Sequence, residues 1–209
     1  MNRKTILIIA LLILAGCAGT KLVGSWKNPD YVIFDAKQVL VVGMAQDRQL
    51  RLEFESRLVE QFKREGVEAV RSMDVFDLAF TSAQRSEEEL EDAMELLIDR
   101  DFDAILLTKL IGMGHRVTLR ESVADIDRAF DTFSTDYLEH QEIYYDPKIG
   151  QEYDLFHLET SLYCICVGKE RELVWRGNID LVEPMDTDKV MDSYIALIRG
   201  AMEEDDVIF

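Results

Sequence analysis

The side chains able to do chemistry are sparse and scattered. Of three cysteines, Cys164 and Cys166 stand two apart, a pair that could cycle between thiol and disulfide in an oxidising compartment. Around them Phe156, Leu158 and Leu162 are apolar while His157, Glu159 and Ser161 are polar, so both cysteines are expected on one face of a strand. An extended strand sets such residues about 6.6 Å apart, near the upper limit for a disulfide. No helix N-terminus stands by to acidify either thiol. Both are therefore expected to be buried and reduced. His157 and Glu159 share the other face, and His140 lies near Glu139 and Glu142. A zinc site needs three or four ligands with tight local pairs, which three scattered histidines do not supply, so no metal or other cofactor is expected. Asp125-Ile126-Asp127 lacks the glycine and terminal glutamate of a calcium loop and reads as a solvated acidic face. No serine sits in a G-x-S-x-G elbow. Gly43-Met44-Ala45-Gln46-Asp47 follows a strand and precedes a helix, where α/β folds bind ligands. One glycine makes a poor phosphate cradle and Asp47 would repel an anion, so the segment reads as a tight connection. No catalytic residue is expected.

The third cysteine has a different setting. Arg3 and Lys4 give a positive start, and Ile6 through Ala15 form an uninterrupted apolar run. Spanning a bilayer takes about 20 such residues, so the run is too short for that and suits a signal-peptide core. It closes in Leu14-Ala15-Gly16-Cys17, which resembles the lipobox of bacterial lipoproteins. Small residues before the cut let the chain lie extended in a narrow protease cleft, and the Cys17 thiol is the atom that accepts diacylglycerol. The resemblance implies signal-peptidase recognition through Leu14, Ala15 and Gly16, and a third acyl chain on the new amine of Cys17. One chain binds a membrane only marginally, at about 0.8 kcal/mol per buried methylene, whereas three would anchor the domain effectively permanently. Ala18 follows the cysteine, not the aspartate that resembles an inner-membrane retention signal. The implied destination is the outer membrane, facing the periplasm.

Composition narrows the partners further. Lys and Arg number 23 against 41 Asp and Glu, a formal charge of −18 over 209 residues. Phosphate backbones repel such a chain, so no nucleic acid is expected. Loss of residues 1–16 removes Arg3 and Lys4 and makes the remainder more acidic still, so it should stand off from anionic headgroups while lipid holds it near. Apolar residues at 48% and only 3 Pro permit a real core.

Local patterns then give the elements. Ala18 to Tyr31, with Gly19, Gly24, Asn28 and Pro29, shows no helical or strand period and reads as a tether that begins packing at Trp26. Trp26 and Trp175 are expected as buried anchors. Val39 to Val42 suits a strand covered on both faces. Asp47 can cap a helix carrying Leu50, Phe54, Leu58 and Phe62, which Gly66 ends. Val67 to Val70 is the next strand. Ser86 and Glu89 form a capping box before Leu90, Ala93, Met94, Leu97 and Ile98. Ala104 to Leu107 is another buried strand, with Val117 and Leu119 hinting at one after it. Phe156 to Cys166 and Leu173 to Leu181 alternate as a hairpin around Gly168-Lys169-Glu170, and Val190 to Met202 is a final helix. The fold class is thus α/β with α+β character. A β-α-β-α-β core is followed by antiparallel strands and a C-terminal helix, in a single mixed sheet with helices packed on it. Residues 1–16 form the signal peptide, 17–36 the lipid-anchored tether and 37–209 one domain.

Ser25-Trp26-Lys27-Asn28-Pro29, the β-α unit at Val39 to Gly43, Tyr144-Tyr145, Glu159-Thr160-Ser161-Leu162-Tyr163 and Leu173-Val174-Trp175 together resemble the small bacterial lipoproteins of the domain-of-unknown-function 4136 type. The likeness covers most of the chain after Cys17 and carries over no catalytic residue. It implies a non-enzymatic binding or scaffold domain with an envelope protein as partner. An accessory subunit of an envelope transport or secretion machine is the alternative, and a periplasmic hydrolase or metal enzyme a third. For partner contact the sequence points to Glu121–Asp146, where eight acids surround Arg128. Self-repulsion there should hinder compaction. Phe130, Phe133, Tyr137, Tyr144 and Tyr145 are interleaved with the acids, and the segment is expected to join two antiparallel strands as a long loop, which either presents these aromatics to a partner or is solvated and lays them on the sheet.

Overall fold

The computed structural model describes residues 19–114, 132–146, 155–165, 172–182 and 187–208. Along these the chain forms β1 (Thr20–Lys27), β2 (Gln38–Gly43), α1 (Arg48–Arg64), β3 (Glu68–Arg71), two single turns α2 (Ser72–Val75) and α3 (Leu78–Thr81), and α4 (Glu87–Asp99). Then follow β4 (Ala104–Gly114), α5 (Phe133–His140), a 3₁₀ turn at Gln141–Tyr144, β5 (Leu155–Cys164), β6 (Leu173–Val182) and α6 (Thr187–Glu204). The sheet runs β1-β6-β5-β4-β2-β3. β2 pairs in parallel with β3 and β4, while β4–β5, β5–β6 and β1–β6 are antiparallel. This is the mixed α/β sheet the periodicities predict.

Its local signals work as read. The Asp47 carboxylate accepts from the amides of Gln49 and Leu50 at 2.8 and 2.9 Å, and Ser86 with Glu89 closes the capping box on α4. Gly66 takes a φ of +85° after α1, a backbone state that favours glycine. Helices cover both faces. On one, α1 and α6 bring Leu58, Phe62, Tyr194 and Met202 against Val39, Val41, Leu162 and Trp175. On the other, α4 and α5 bring Leu90, Met94, Leu97, Phe133 and Tyr137 against Leu40, Ile105, Leu107 and Tyr163.

Five expectations need correction. The tether is a strand from Thr20 onward, an edge strand on β6 whose register slips between Leu22 and Gly24. That bulge breaks the two-residue alternation, so the strand carries no readable period. Trp175 is fully buried, but Trp26, on the edge strand, is 40% exposed. The polar face of β5 is not open to water: His157, Glu159 and Ser161 are buried, as are Lys109, Arg176 and Asp180 on the flanking strands. Cys164 is disulfide-bonded. The expectation of a free thiol assumed an unbroken extended strand, whereas β5 ends at Cys164 and its register with β6 slips between Leu162 and Tyr163.

The last correction concerns the acidic segment, of which residues 132–146 are described; it does link antiparallel strands β4 and β5, but those residues are not one loop. Phe133 to His140 is helical, and Phe133, Tyr137 and Tyr144 are buried in the core under the sheet. These three cannot serve as accessible anchors. Tyr145 is 39% exposed. Phe130, Cys17, Cys166, Leu14, Ala15 and Gly16 lie outside the described residues, as do Val117, Leu119 and the Gly168-Lys169-Glu170 turn.

Candidate functional site

α1 and α6 lie on the same face of the sheet but do not close over it completely. At the C-terminal ends of β2 and β4 they leave a cleft of about 400 Å³. Its walls are Leu50 and Phe54 from α1 and Val190, Met191 and Tyr194 from α6; its floor includes Leu110, Phe156 and Leu158. Gly43 to Gln46, the connection from β2 to α1, form one rim. The reason for the gap is sequence spacing. Leu50 and Phe54 recur at i and i+4, as do Val190 and Tyr194, and extend each apolar stripe beyond where the two helices meet. Phe156 and Leu158 continue the apolar face of β5 beneath them. Leu50 is consequently 38% exposed.

A short chain of hydroxyls crosses the floor. Thr108 Oγ1 lies 2.7 Å from Thr160 Oγ1, which lies 2.7 Å from the Tyr194 hydroxyl. Thr108 and Tyr194 line the cleft and the fully buried Thr160 joins them. Burial pushes the Tyr194 phenol up, against hydrogen bonds from Thr160 and Thr108, so it stays neutral at physiological pH. The backbone amides at the end of β2 are already engaged. Gly43 N donates to Glu55 Oε1 at 3.0 Å and Met44 N to the Thr108 carbonyl at 2.8 Å. These two amides are therefore not available to an anion. A Cβ on Gly43 would come 3.0 Å from Phe54 Cδ1, so this glycine lets α1 approach the strand end closely.

Among the described residues two cations border the cleft, and both are tied back into the protein. Arg51 Nε lies 3.1 Å from Glu55 Oε1, its Nη2 donates to Ser72 Oγ at 2.9 Å, and its guanidinium sits 5.0 Å from the Tyr144 ring centroid. Lys109, 1% exposed, reaches the opposite face of the sheet. Its Nζ donates to Asp136 Oδ2 at 2.7 Å and to Glu159 Oε1 at 2.5 Å. Around this pair Tyr163 OH donates to Asp136 Oδ2 at 2.6 Å, and Ser161 Oγ to Glu159 Oε1 at 3.1 Å. Arg176 Nε stands 3.3 Å from Glu159 Oε1, and His140 Nδ1 lies 3.1 Å from Asp136 Oδ1. Burial would raise the Asp136 carboxyl, but the His140 imidazole beside it, the Lys109 charge and its hydrogen bond, and the Tyr163 hydroxyl together lower it to about 2. Beside this cluster His157 Nδ1 meets Asp180 Oδ1 at 2.6 Å.

The structure thus brings His157, Glu159 and His140 close to carboxylates and cations, not to one another as ligands, and no His/Cys/Asp/Glu group among the described residues could hold a metal. Of the proposed partner anchors, it brings Phe133, Tyr137 and Tyr144 together as packing, with ring centroids 5.7 and 6.1 Å apart along that series. Sequence reasoning passed over the cleft because it treated Gly43 to Asp47 only as an anion cradle. The surplus apolar positions on α1 and α6 were the signal for it.

No family model matches the sequence, and no curated protein does. Among solved structures, PelC from Paraburkholderia phytofirmans, a dodecamer, aligns over 90% of this chain and 98% of its own at 8% identity, with a TM-score of 0.42. A variant of that dodecamer aligns over 88% and 96% at 10% identity and 0.43. The lipoprotein GNA1162 from Neisseria meningitidis aligns over 80% and 96% at 9% identity and 0.41. Likenesses at this level carry no argument about what this chain does.

Proposed function

We propose that the protein is a lipid-anchored bacterial envelope protein whose α/β domain binds a partner molecule and does no chemistry on it. The N-terminal stretch carries the anchor: a basic start, the apolar run Ile6 to Ala15, and Leu14-Ala15-Gly16-Cys17. In this reading Cys17 bears the acyl chains and Ala18 directs the protein to the outer membrane, with the domain in the periplasm. Among the described residues no helix is long and apolar enough to cross a membrane. The binding role is supported by the cleft between α1 and α6, whose walls are apolar and whose bordering cations are engaged in ion pairs that tie elements together.

Metabolic labelling with palmitate tests the anchor. Wild type should take up label and sediment with membranes, and Cys17→Ser should do neither. A wild-type chain released unlabelled in soluble form would overturn the assignment.

A further inference from the structure

We infer that the cleft between α1 and α6 is a binding site for a neutral, single-chain acyl ester. The inference rests on the reading of the domain as a binding domain and adds the ligand class. Three features of the cleft select it. The first is size and lining. A dry apolar cavity of about 150 Å³ takes one benzene, so a cleft of about 400 Å³ has room for roughly fifteen carbons on the same scale. Leu50, Phe54, Phe156, Leu158, Val190 and Met191 give those carbons apolar contact along its walls.

The second feature is the hydroxyl chain. Thr108 and Tyr194 are hydrogen-bonded through Thr160, and a hydroxyl both donates and accepts, so either of the pair can turn its proton toward the cleft. Thr108 and Tyr194, the two members that line the cleft, are each more than nine-tenths buried. An ester carbonyl at the end of an acyl chain supplies an acceptor for that proton in an otherwise apolar lining. The third feature is charge. No carboxylate lines the cleft among the described residues, while Arg51 is bonded to Glu55 and Lys109 to Asp136 and Glu159. A fatty-acid carboxylate would find its cations already paired, inside a chain of formal charge −18. Burying an unpaired charge is unfavourable, so the head is neutral.

The test uses the full chain carrying Cys17→Ser, so that no covalent acyl group competes, titrated calorimetrically with 1-monolauroylglycerol below its aggregation concentration. One equivalent is expected to bind. Each buried methylene changes affinity about fourfold, so 1-monooctanoylglycerol should bind at least tenfold more weakly. Laurate, with the same chain and a charged head, should also bind at least tenfold more weakly. Val190→Trp should fill the cleft and weaken ester binding at least tenfold. Leu50→Arg, at a side chain already partly in water, puts a charge on the same wall and serves where the tryptophan disturbs folding. Tyr194→Phe should weaken binding about two- to tenfold, the value of one hydrogen bond. No binding of the ester, binding indifferent to both wall variants, or laurate binding as tightly as the ester would each overturn the inference. Palmitate labelling at Cys17 is read independently, so either proposal can fail while the other stands.

Discussion

Lys109→Met removes one charge from a place water does not reach and keeps the length of the side chain. Lys109 donates to Asp136 at 2.7 Å and Glu159 at 2.5 Å from a site that is 1% exposed. After the change Asp136 still has the Tyr163 hydroxyl and His140, and Glu159 still has Ser161 and Arg176. Neither carboxylate regains water, so the cluster is left with a net negative charge in a poorly polarisable setting. Breaking a buried ion pair from one side costs about 3–5 kcal/mol. The acidity of Asp136 gives an independent scale. Its carboxyl is lowered from 3.8 to about 2 although burial, the largest influence, acts in the opposite direction. That net shift corresponds to about 2 kcal/mol, and the attraction from its partners must exceed it by whatever burial costs.

The same numbers fix a pH dependence. A carboxyl whose folded pKa lies below its unfolded one stabilises the fold above the unfolded pKa, and the contribution fades as pH falls through the folded one. For Asp136 the wild type should therefore lose about 2 kcal/mol between roughly pH 5 and pH 2. In Lys109→Met burial is less opposed, the carboxyl rises, and protonation relieves the variant as the solution is acidified. Urea unfolding at pH 7, 5 and 4 measures both effects. The deficit of the variant should be largest at pH 7 and shrink by pH 4, with unchanged dependence on urea. A deficit below about 1 kcal/mol at pH 7, or one that is constant down to pH 4, would refute the account of this cluster.

Gly177→Ala should destabilise the domain by about 1–3 kcal/mol in the same assay, because the added Cβ would stand 2.3 Å from Cη2 of the fully buried Trp175, whose Nε1 donates to Asp205 Oδ2 at 2.8 Å and holds the indole in place. Tolerance of alanine there would show that the indole is free to move. Peptide mapping of unreduced protein should recover Cys164 only in cross-linked form; alkylation of Cys164 in denatured, unreduced protein would contradict the bond.

Periodicity read the core well where one element's face is all that matters. Leu58 and Phe62 on α1, Leu90, Met94 and Leu97 on α4, and Tyr194, Ile198 and Met202 on α6 point where their spacing says. Caps were legible for the same reason, since Asp47 and Ser86 act within three residues of themselves. β1 was not, because a bulge at Leu22/Gly24 erases the alternation that marks a strand. The cleft lay between these cases. Leu50 and Phe54 on α1 and Val190 on α6 signal surplus apolar stripe, but a stripe alone does not fix how far the partner helix extends over it.

The buried charges were the least legible part, yet one residue announced them. Lys109 interrupts the apolar stretch Ala104 to Ile111 in a strand that packs on both faces. A lysine in such a place must either reach water or find carboxylates, since an unpaired ammonium in the interior is too costly to keep. The chain supplies Asp136, 27 residues on, and Glu159, 50 residues on. Counting acids along Glu121–Asp146 made that segment look self-repelling, because the count took neighbours in sequence as neighbours in space. Asp136 instead faces a cation from β4, and Phe133 and Tyr137 on the same helix are buried in the core with it. Net charge along a segment predicts solvation only when no buried opposite charge elsewhere in the chain needs it. Here the lone lysine of a central strand was the evidence that one did.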